Sequence, residues 1–140
     1  MKNLLNCAVA VLLASATSVS AADNKSQPAP AYDTTAMIDV HAKVTEVREV
    51  SKGSAMEGLH LMLQTAGETL DVYIGPGEFV KLFEVTFKKG DEIHVIGSRV
   101  AFEGSTVVLA REVSIGKVTL LCRDKQGEPL WKYFLNPPVG

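Results

Sequence analysis

The chain has 140 residues, with 14 basic and 16 acidic side chains and a formal net charge of −2. This length allows one domain and little else. The charge disfavours nucleic acid as a partner, because affinity for a phosphate backbone comes largely from lysine and arginine.

The N-terminus is typical of a secretory signal peptide. Lys2 precedes an apolar run from Leu4 to Ala16, and Val19-Ser20-Ala21 offers small residues to signal peptidase. The run is shorter than the roughly 20 residues that a membrane-spanning helix needs. We therefore predict that residues 1–21 are a signal peptide cleaved near Ala21, and that the mature protein is periplasmic without a stable membrane anchor.

Cleavage leaves one small domain behind a linker. Residues 22–36 are polar and contain two prolines, which predicts a flexible linker, and residues 37–135 are predicted to form the folded domain. Loss of Lys2 leaves 13 basic residues against 16 acidic ones, a mature charge of about −3. Cys122 is then the only cysteine, so no internal disulfide can form, and its apolar segment predicts a buried thiol. A monomer is predicted.

From Met37 the sequence alternates with period two, which predicts β-strands. The first strand is long and places apolar residues on one face and polar residues, among them Asp39 and His41, on the other. Its alternation slips near Glu46-Val47, as it does at a β-bulge.

The second and third strands give the clearest signal, a hairpin about Ala66-Gly67. Folding about this turn gives one wholly apolar face and one outward face. The predicted apolar pairs are Leu63–Leu70, Leu61–Val72 and Leu59–Ile74, and the predicted outward pairs are His60–Tyr73, Met62–Asp71 and Gln64–Thr69.

A short helix and three more strands complete the domain. After Pro76, the spacing of Phe79, Leu82 and Phe83 predicts an apolar helical stripe that plugs one end of a barrel. The fourth strand alternates Ile93, Val95 and Gly97 with outward residues that include His94 and Ser98. The fifth strand, residues 106–115, carries apolar residues on both faces, so its orientation stays open, and a sixth covers residues 117–122. The order predicts an all-β fold, a small OB-like Greek-key barrel with one short helix between strands 3 and 4.

Several segments carry a resemblance to a known group of proteins. They are Gly75-Pro76, the stretch from Lys89 to Ser98, Ala110-Arg111-Glu112-Val113, and an ending from Arg123 to Trp131 that contains the pattern D-x-x-G-x-P-L-W. With these segments the chain resembles small exported bacterial proteins described as OB-fold-like or, loosely, as DNA-binding. The resemblance implies the fold but no particular activity.

The outward face of the second and third strands offers the candidate ligand-binding residues. OB domains hold extended ligands on this face, and a tyrosine beside a histidine can stack on a planar group. Since the face has no lysine or arginine, a periplasmic protein or peptide is favoured as the ligand of a non-catalytic binding or accessory module. A nucleic-acid-binding OB domain and a face of ordinary half-exposed strand residues remain alternatives. The candidate residues are His60, Met62, Gln64, Asp71 and Tyr73.

A metal site is the other alternative, because imidazole and thioether ligands such as His60 and Met62 suit Cu(I). A third ligand is needed. His41 should lie about six residues from His60 along the strands, on the order of 20 Å, and His94 belongs to a strand that neighbours the first. The three histidines are expected to be dispersed, and no cofactor is predicted.

No catalytic machinery is recognisable in the sequence. The patterns G-x-S-x-G and H-E-x-x-H and a P-loop are missing, so the protein is predicted not to be an enzyme. Trp131, the only tryptophan, is predicted to be a core plug at the end of the domain.

Overall fold

The computed structural model describes residues 29–137. The predicted signal peptide and residues 22–28 of the predicted linker lie outside the described residues. The elements are β1 (Met37–Val50), β2 (Gly58–Gln64), β3 (Thr69–Gly75), α1 (Gly77–Leu82), β4 (Glu92–Phe102), β5 (Ser105–Ile115), β6 (Val118–Leu121) and α2 (Trp131–Leu135).

The strands form a small closed barrel. Their hydrogen-bonded order is β3-β2-β1-β4-β5-β6, and a parallel pairing of β3 with β5 joins the sheet to itself. β1 to β5 therefore close the barrel, and β6 is an additional strand that pairs with β5. The predicted all-β barrel with a short helix between its third and fourth strands is confirmed. The helix α2 was not predicted.

β1 is long because it pairs at both ends. Its first half, Met37 to Lys43, pairs with β4, and its second half pairs with β2. The β1–β2 register shifts between Val44 and Glu46, close to the predicted bulge. Such a bulge bends a strand, which lets β1 curve between its two partners.

The β2–β3 hairpin has the predicted register over most of its length. Leu61 pairs with Val72 and Leu63 with Leu70, and the three outward pairs are also as predicted. At the rim Leu59 pairs with Gly75, not with Ile74, because the register shifts between Leu59 and His60.

The core fills the barrel, and α1 covers one end of it. Phe79 is fully buried and Val80 is nearly so, whereas Leu82 and Phe83 are 56% and 42% exposed. The predicted apolar stripe is therefore wrong for its last two members. The neighbouring residues Phe79 and Val80 set the side of α1 that meets the core, which leaves Leu82 on another side, and the helix ends at Leu82, before Phe83.

A second, smaller apolar cluster lies outside the barrel on β3 and β5. Met56, Tyr73, Val107 and Leu109 are buried there. This cluster explains the ambiguous fifth strand, since residues 107–110 are all buried, one face against the barrel interior and the other in the outer cluster. The partly buried side chains that cover it are Tyr32, Val100, Phe102 and Trp131.

The folded domain begins earlier than predicted. Tyr32 packs on the outer cluster, and the backbone N–H of Asp33 donates to the Ser98 hydroxyl at 2.9 Å. The Ser98 hydroxyl in turn donates to the Asp33 carbonyl at 2.8 Å. Residues 32–36 are thus part of the domain, because the outward surface of β3 and β5 is apolar and needs a cover.

Cys122 is fully buried, as predicted, and burial raises the pKa of its thiol to about 12. Between residues 29 and 137, no helix is both long enough and apolar enough to span a membrane.

Candidate functional site

The predicted ligand-binding face is only partly open to solvent. Its residues lie side by side as the register requires, but His60 is 5% exposed and Tyr73 7%. Met62, Asp71 and Gln64 keep solvent exposure. The expectation that His60 and Tyr73 form an exposed stacking platform is therefore wrong.

The loop between β1 and β2 and the C-terminal segment cover this end of the face. The Tyr73 hydroxyl donates to the Glu57 carbonyl at 2.8 Å. The Tyr73 and Trp131 rings meet edge to face with centroids 5.9 Å apart. Met56 and Leu109 pack in the same cluster. Trp131 also packs against the barrel core, so its side chain lies between the barrel core and the outer cluster and contacts both.

The D-x-x-G-x-P-L-W ending builds this cover. The Asp124 carboxylate accepts hydrogen bonds from the backbone N–H groups of Gln126 and Glu128, each at 2.9 Å. Gly127 has φ +92°, and a Cβ at this position would lie 2.3 Å from the Tyr32 ring. The ending therefore has a structural role: its tight turn makes room for Tyr32, and its last residue is Trp131.

Arg123 joins the two aromatic residues of the cover. Its guanidinium carbon lies 5.0 Å from the Trp131 ring centroid and 5.9 Å from that of Tyr32, both within the range of cation–π contact. Burial lowers the pKa of Arg123, and its Nη1 donates to the Gly127 carbonyl at 2.8 Å. The basic side chain thus belongs to the cover and is not displayed for a ligand.

His60 is held by two acceptors. Its Nδ1 lies 2.8 Å from Asp71 Oδ1 and its Nε2 lies 2.8 Å from the Met56 carbonyl oxygen. Burial lowers the pKa of His60, but the bonds to Asp71 and Met56 outweigh it, so the pKa is raised above its ordinary value. Because a carboxylate and a carbonyl oxygen both accept hydrogen bonds, this pocket favours the protonated ring, which donates from both nitrogens. Neither nitrogen is left for a metal, which argues against the copper alternative with Met62.

This pairing predicts a pH-dependent stability. A histidine whose pKa is higher in the folded than in the unfolded state stabilises the fold fully below its unfolded pKa, about 6.5. That contribution is lost as the pH rises through the folded pKa. We expect the difference in unfolding free energy between the wild type and His60→Gln to shrink from pH 6 to pH 9 in urea melts. The groups that face the ring, Asp71, Arg48 and Tyr73, are the same in both proteins, so a difference that grows with pH would contradict the assignment.

The other two histidines lie together, contrary to the expectation that all three are dispersed. His41 on β1 and His94 on β4 are directly opposite in the register. Their rings are stacked with centroids 4.0 Å apart and 8° between the planes. Asp39 Oδ1 lies 2.5 Å from His94 Nε2. One ligand atom from each of these three side chains lies within 4.8 Å of the other two.

The two helices present an exposed apolar patch, defined here as Leu82, Phe83, Tyr133 and Phe134. These side chains are between 42% and 56% exposed. The Phe83 and Phe134 rings meet at 5.3 Å, and both contact the buried Phe79. Tyr133 and Phe134 are adjacent in the sequence, but the sequence did not show that α1 and α2 pack together and leave these rings outside.

A groove adjoins the helix patch and shares both helices with it. It has a volume of about 520 Å³, within the usual size range of binding pockets. Trp131, Leu135 and Pro76 supply apolar walls. The charged side chains that line it are Glu49, Glu57, Glu78, Lys52 and Lys81, three acidic and two basic.

Comparison with known proteins gives one informative result. A search of curated proteins finds no match. The model of the MamS/MamX magnetosome protein family matches residues 37–120, which run from the start of β1 nearly to the end of β6 and include the Asp39, His41 and His94 cluster. Since this match covers more than half of the chain, the protein belongs to the MamS/MamX magnetosome protein family.

Proposed function

We propose that the protein is an exported, non-catalytic accessory protein of the magnetosome, and that it binds a protein partner through the helix patch and the adjoining groove. Membership of a magnetosome family supports the setting, and the N-terminal sequence supports export. The observation that carries the proposal is the exposed apolar patch of Leu82, Phe83, Tyr133 and Phe134.

The patch suits a protein partner in both size and chemistry. Large apolar side chains that meet on the surface of a small domain mark interaction sites more often than scattered ones do, and aromatic residues are enriched in interface cores. Four such side chains are too few for a standard interface of about 800 Å² per partner. The partner must therefore also contact the polar rim and the groove.

The groove defines the chemistry of that contact. Glu49, Glu57 and Glu78 outnumber Lys52 and Lys81 along it. We expect the partner to place apolar side chains on the helix patch and a lysine or arginine over the acidic side of the groove. The helix patch and the groove replace the outward face at His60 and Tyr73 as the proposed binding surface, since those two side chains are buried.

An enzymatic role has little support from the thiol chemistry. The only cysteine in residues 29–137 is Cys122, which is fully buried with its pKa raised to about 12. A thiol in that state does not act as a nucleophile at neutral pH.

The partner site can be tested by crosslinking in the native cells. A photo-crosslinking phenylalanine analogue at position 83 should give one discrete adduct, because this side chain is 42% exposed and packs against Phe134 within the helix patch. The same analogue at position 118 is the control, since Val118 is 50% exposed but lies on β6. We expect no such adduct there.

Binding is then measured with the purified partner identified from the adduct. Phe83→Ser combined with Phe134→Ser should weaken binding at least about tenfold, because a few well-packed residues near the centre of an interface carry most of its binding energy. Val118→Ser should leave binding unchanged. Identical adducts at positions 83 and 118, or equal affinity of the wild type and the double variant, would refute the proposal.

A further inference from the structure

The cluster on β1 and β4 has a chemistry that the proposed partner site does not use. We propose that Asp39, His41 and His94 form a surface site for a divalent first-row transition-metal ion. The ion would bridge the two strands on the outside of the barrel. This inference does not depend on the helix patch.

The donor set defines the class of ion. Two imidazoles and one carboxylate are the ligands of many zinc sites and of the facial triad that binds Fe(II). Calcium and magnesium prefer all-oxygen sites, which these residues do not supply. Three protein ligands leave coordination positions open for water or another ligand.

The backbone brings the three donors together without any loop. Asp39 and His41 are two residues apart on β1, so they point to the same face of the sheet. His94 is opposite His41 in the antiparallel register, at the separation where cross-strand side chains touch. The site is therefore set by strand register, which makes its spacing rigid at the backbone.

The distances are close to those of a bound ion. Ligand atoms about 2.1 Å from one ion lie at most about 4.2 Å apart, and the three donor atoms here lie within 4.8 Å of one another. The two stacked rings must tilt to aim both nitrogens at the ion. The surface allows this movement, because the side chains of His94 and Asp39 are 30% and 63% exposed.

Electrostatics also favours a cation between these groups. Asp39 adds a negative charge beside the two rings, and its Oδ1 already lies against His94 Nε2, so an ion bound between them would take the place of this hydrogen bond. Within residues 29–137 no hydrogen bond engages the His41 ring.

An open cleft beside the cluster gives the ion access and room for further ligands. It is lined by both histidines together with Lys43, Glu92 and Ser114. Ser114 lies opposite His94 on β5, and its hydroxyl is 2.8 Å from that of Thr119. These hydroxyls can hold water molecules that complete the coordination.

Titration of the purified protein, without a polyhistidine tag, tests the site. Calorimetry should show one Zn²⁺ per chain and, under anaerobic conditions, one Fe²⁺, whereas Mg²⁺ should not bind. In NMR spectra the ring signals of His41 and His94 should shift or broaden on metal addition. The ring signals of His60, the remaining one of the three histidines in the chain, should not change, because its nitrogens are already bonded.

Variants decide whether these side chains are the ligands. Loss of a residue that only orients a metal ligand costs about 10–100-fold in metal affinity, and loss of a ligand itself should cost no less. His41→Ala and His94→Ala should therefore each weaken Zn²⁺ binding at least tenfold. Asp39→Asn, which keeps an oxygen but removes the charge, should have a smaller effect. Glu103→Gln, which removes an exposed carboxylate at the β4–β5 turn, is the control.

Three results would overturn the proposal. They are Zn²⁺ binding with the same affinity in the wild type and in His41→Ala, perturbation of the ring signals of His60 alone, and the absence of any binding below 1 mM metal. His41 is exposed, so its replacement should preserve the fold, and circular dichroism checks this for each variant.

Discussion

Phe79→Ala should lower the free energy of unfolding by about 3–5 kcal/mol, the usual range for a buried phenylalanine. Phe79 is fully buried in the barrel core. Its ring also contacts Trp131 at 5.9 Å and Phe134 at 5.9 Å between centroids. Truncation would remove the ring that closes this end of the barrel and leave a cavity under both helices. Urea melts of the wild type and the variant measure the loss.

The residue that follows the end of α1 supplies a matched control. Phe83 lies four residues after Phe79, is 42% exposed and belongs to the helix patch. Phe83→Ala should therefore cost about 1 kcal/mol or less. Equal losses for the two variants would show that the helix does not face the barrel as described. A larger loss for Phe83 would mean that the exposed patch is in fact part of the core.

His60→Ala should be the second most damaging change, with a loss of about 2–4 kcal/mol. The sequence predicted a surface residue, for which replacement costs little. In the structure His60 is 5% exposed and bonded to Asp71 and to the Met56 carbonyl. Its removal leaves the Asp71 carboxylate and a buried carbonyl without their partner. Asp71 keeps 28% of its side-chain exposure, so water relieves part of the penalty.

Two variants on the same face separate the explanations. Asp71→Asn keeps the shape of the pair and removes the charge. Its free energy of unfolding should therefore fall between that of the wild type and that of His60→Ala. Gln64→Ala, at the exposed end of the same strand face, should cost under about 1 kcal/mol. If His60→Ala proved as mild as Gln64→Ala, the buried ion pair would not be a stabilising feature of this domain.

The two proposed sites can be tested independently, because they use distant parts of β1. His41 belongs to the metal cluster, and Glu49 lines the groove. Glu49 is eight positions after His41, which corresponds to roughly 26 Å along an extended strand. Loss of metal binding should therefore leave partner binding unchanged, and a change at the helix patch should leave metal affinity unchanged.

The hairpin could be read from the sequence because its information is local. The turn at Ala66-Gly67 fixes the pairing, so Leu61 and Val72, and likewise His60 and Tyr73, face each other as predicted. The long bulged first strand and the short helix after Pro76 followed in the same way from period and turn residues. These features depend on neighbours within about 30 residues of one another, which sequence patterns record well.

The exposure of each face depended on distant segments. Alternation shows that His60 and Tyr73 share a face, but not that Met56 and Trp131 cover it. The fifth strand was ambiguous for the same reason, since both of its faces are covered. A period-two pattern separates two sides of a strand, and only tertiary packing decides which of them meets solvent.

The histidine cluster shows the same division between sequence and structure. The sequence by itself determined that Asp39 and His41 lie on the outward face of the first strand, and that His94 faces outward on the fourth. It could not determine that His41 and His94 are opposite each other. No turn joins these two strands, because β2, β3 and α1 lie between them in the chain. Their register is fixed by closure of the barrel around its core, and this packing of remote segments places the three side chains together.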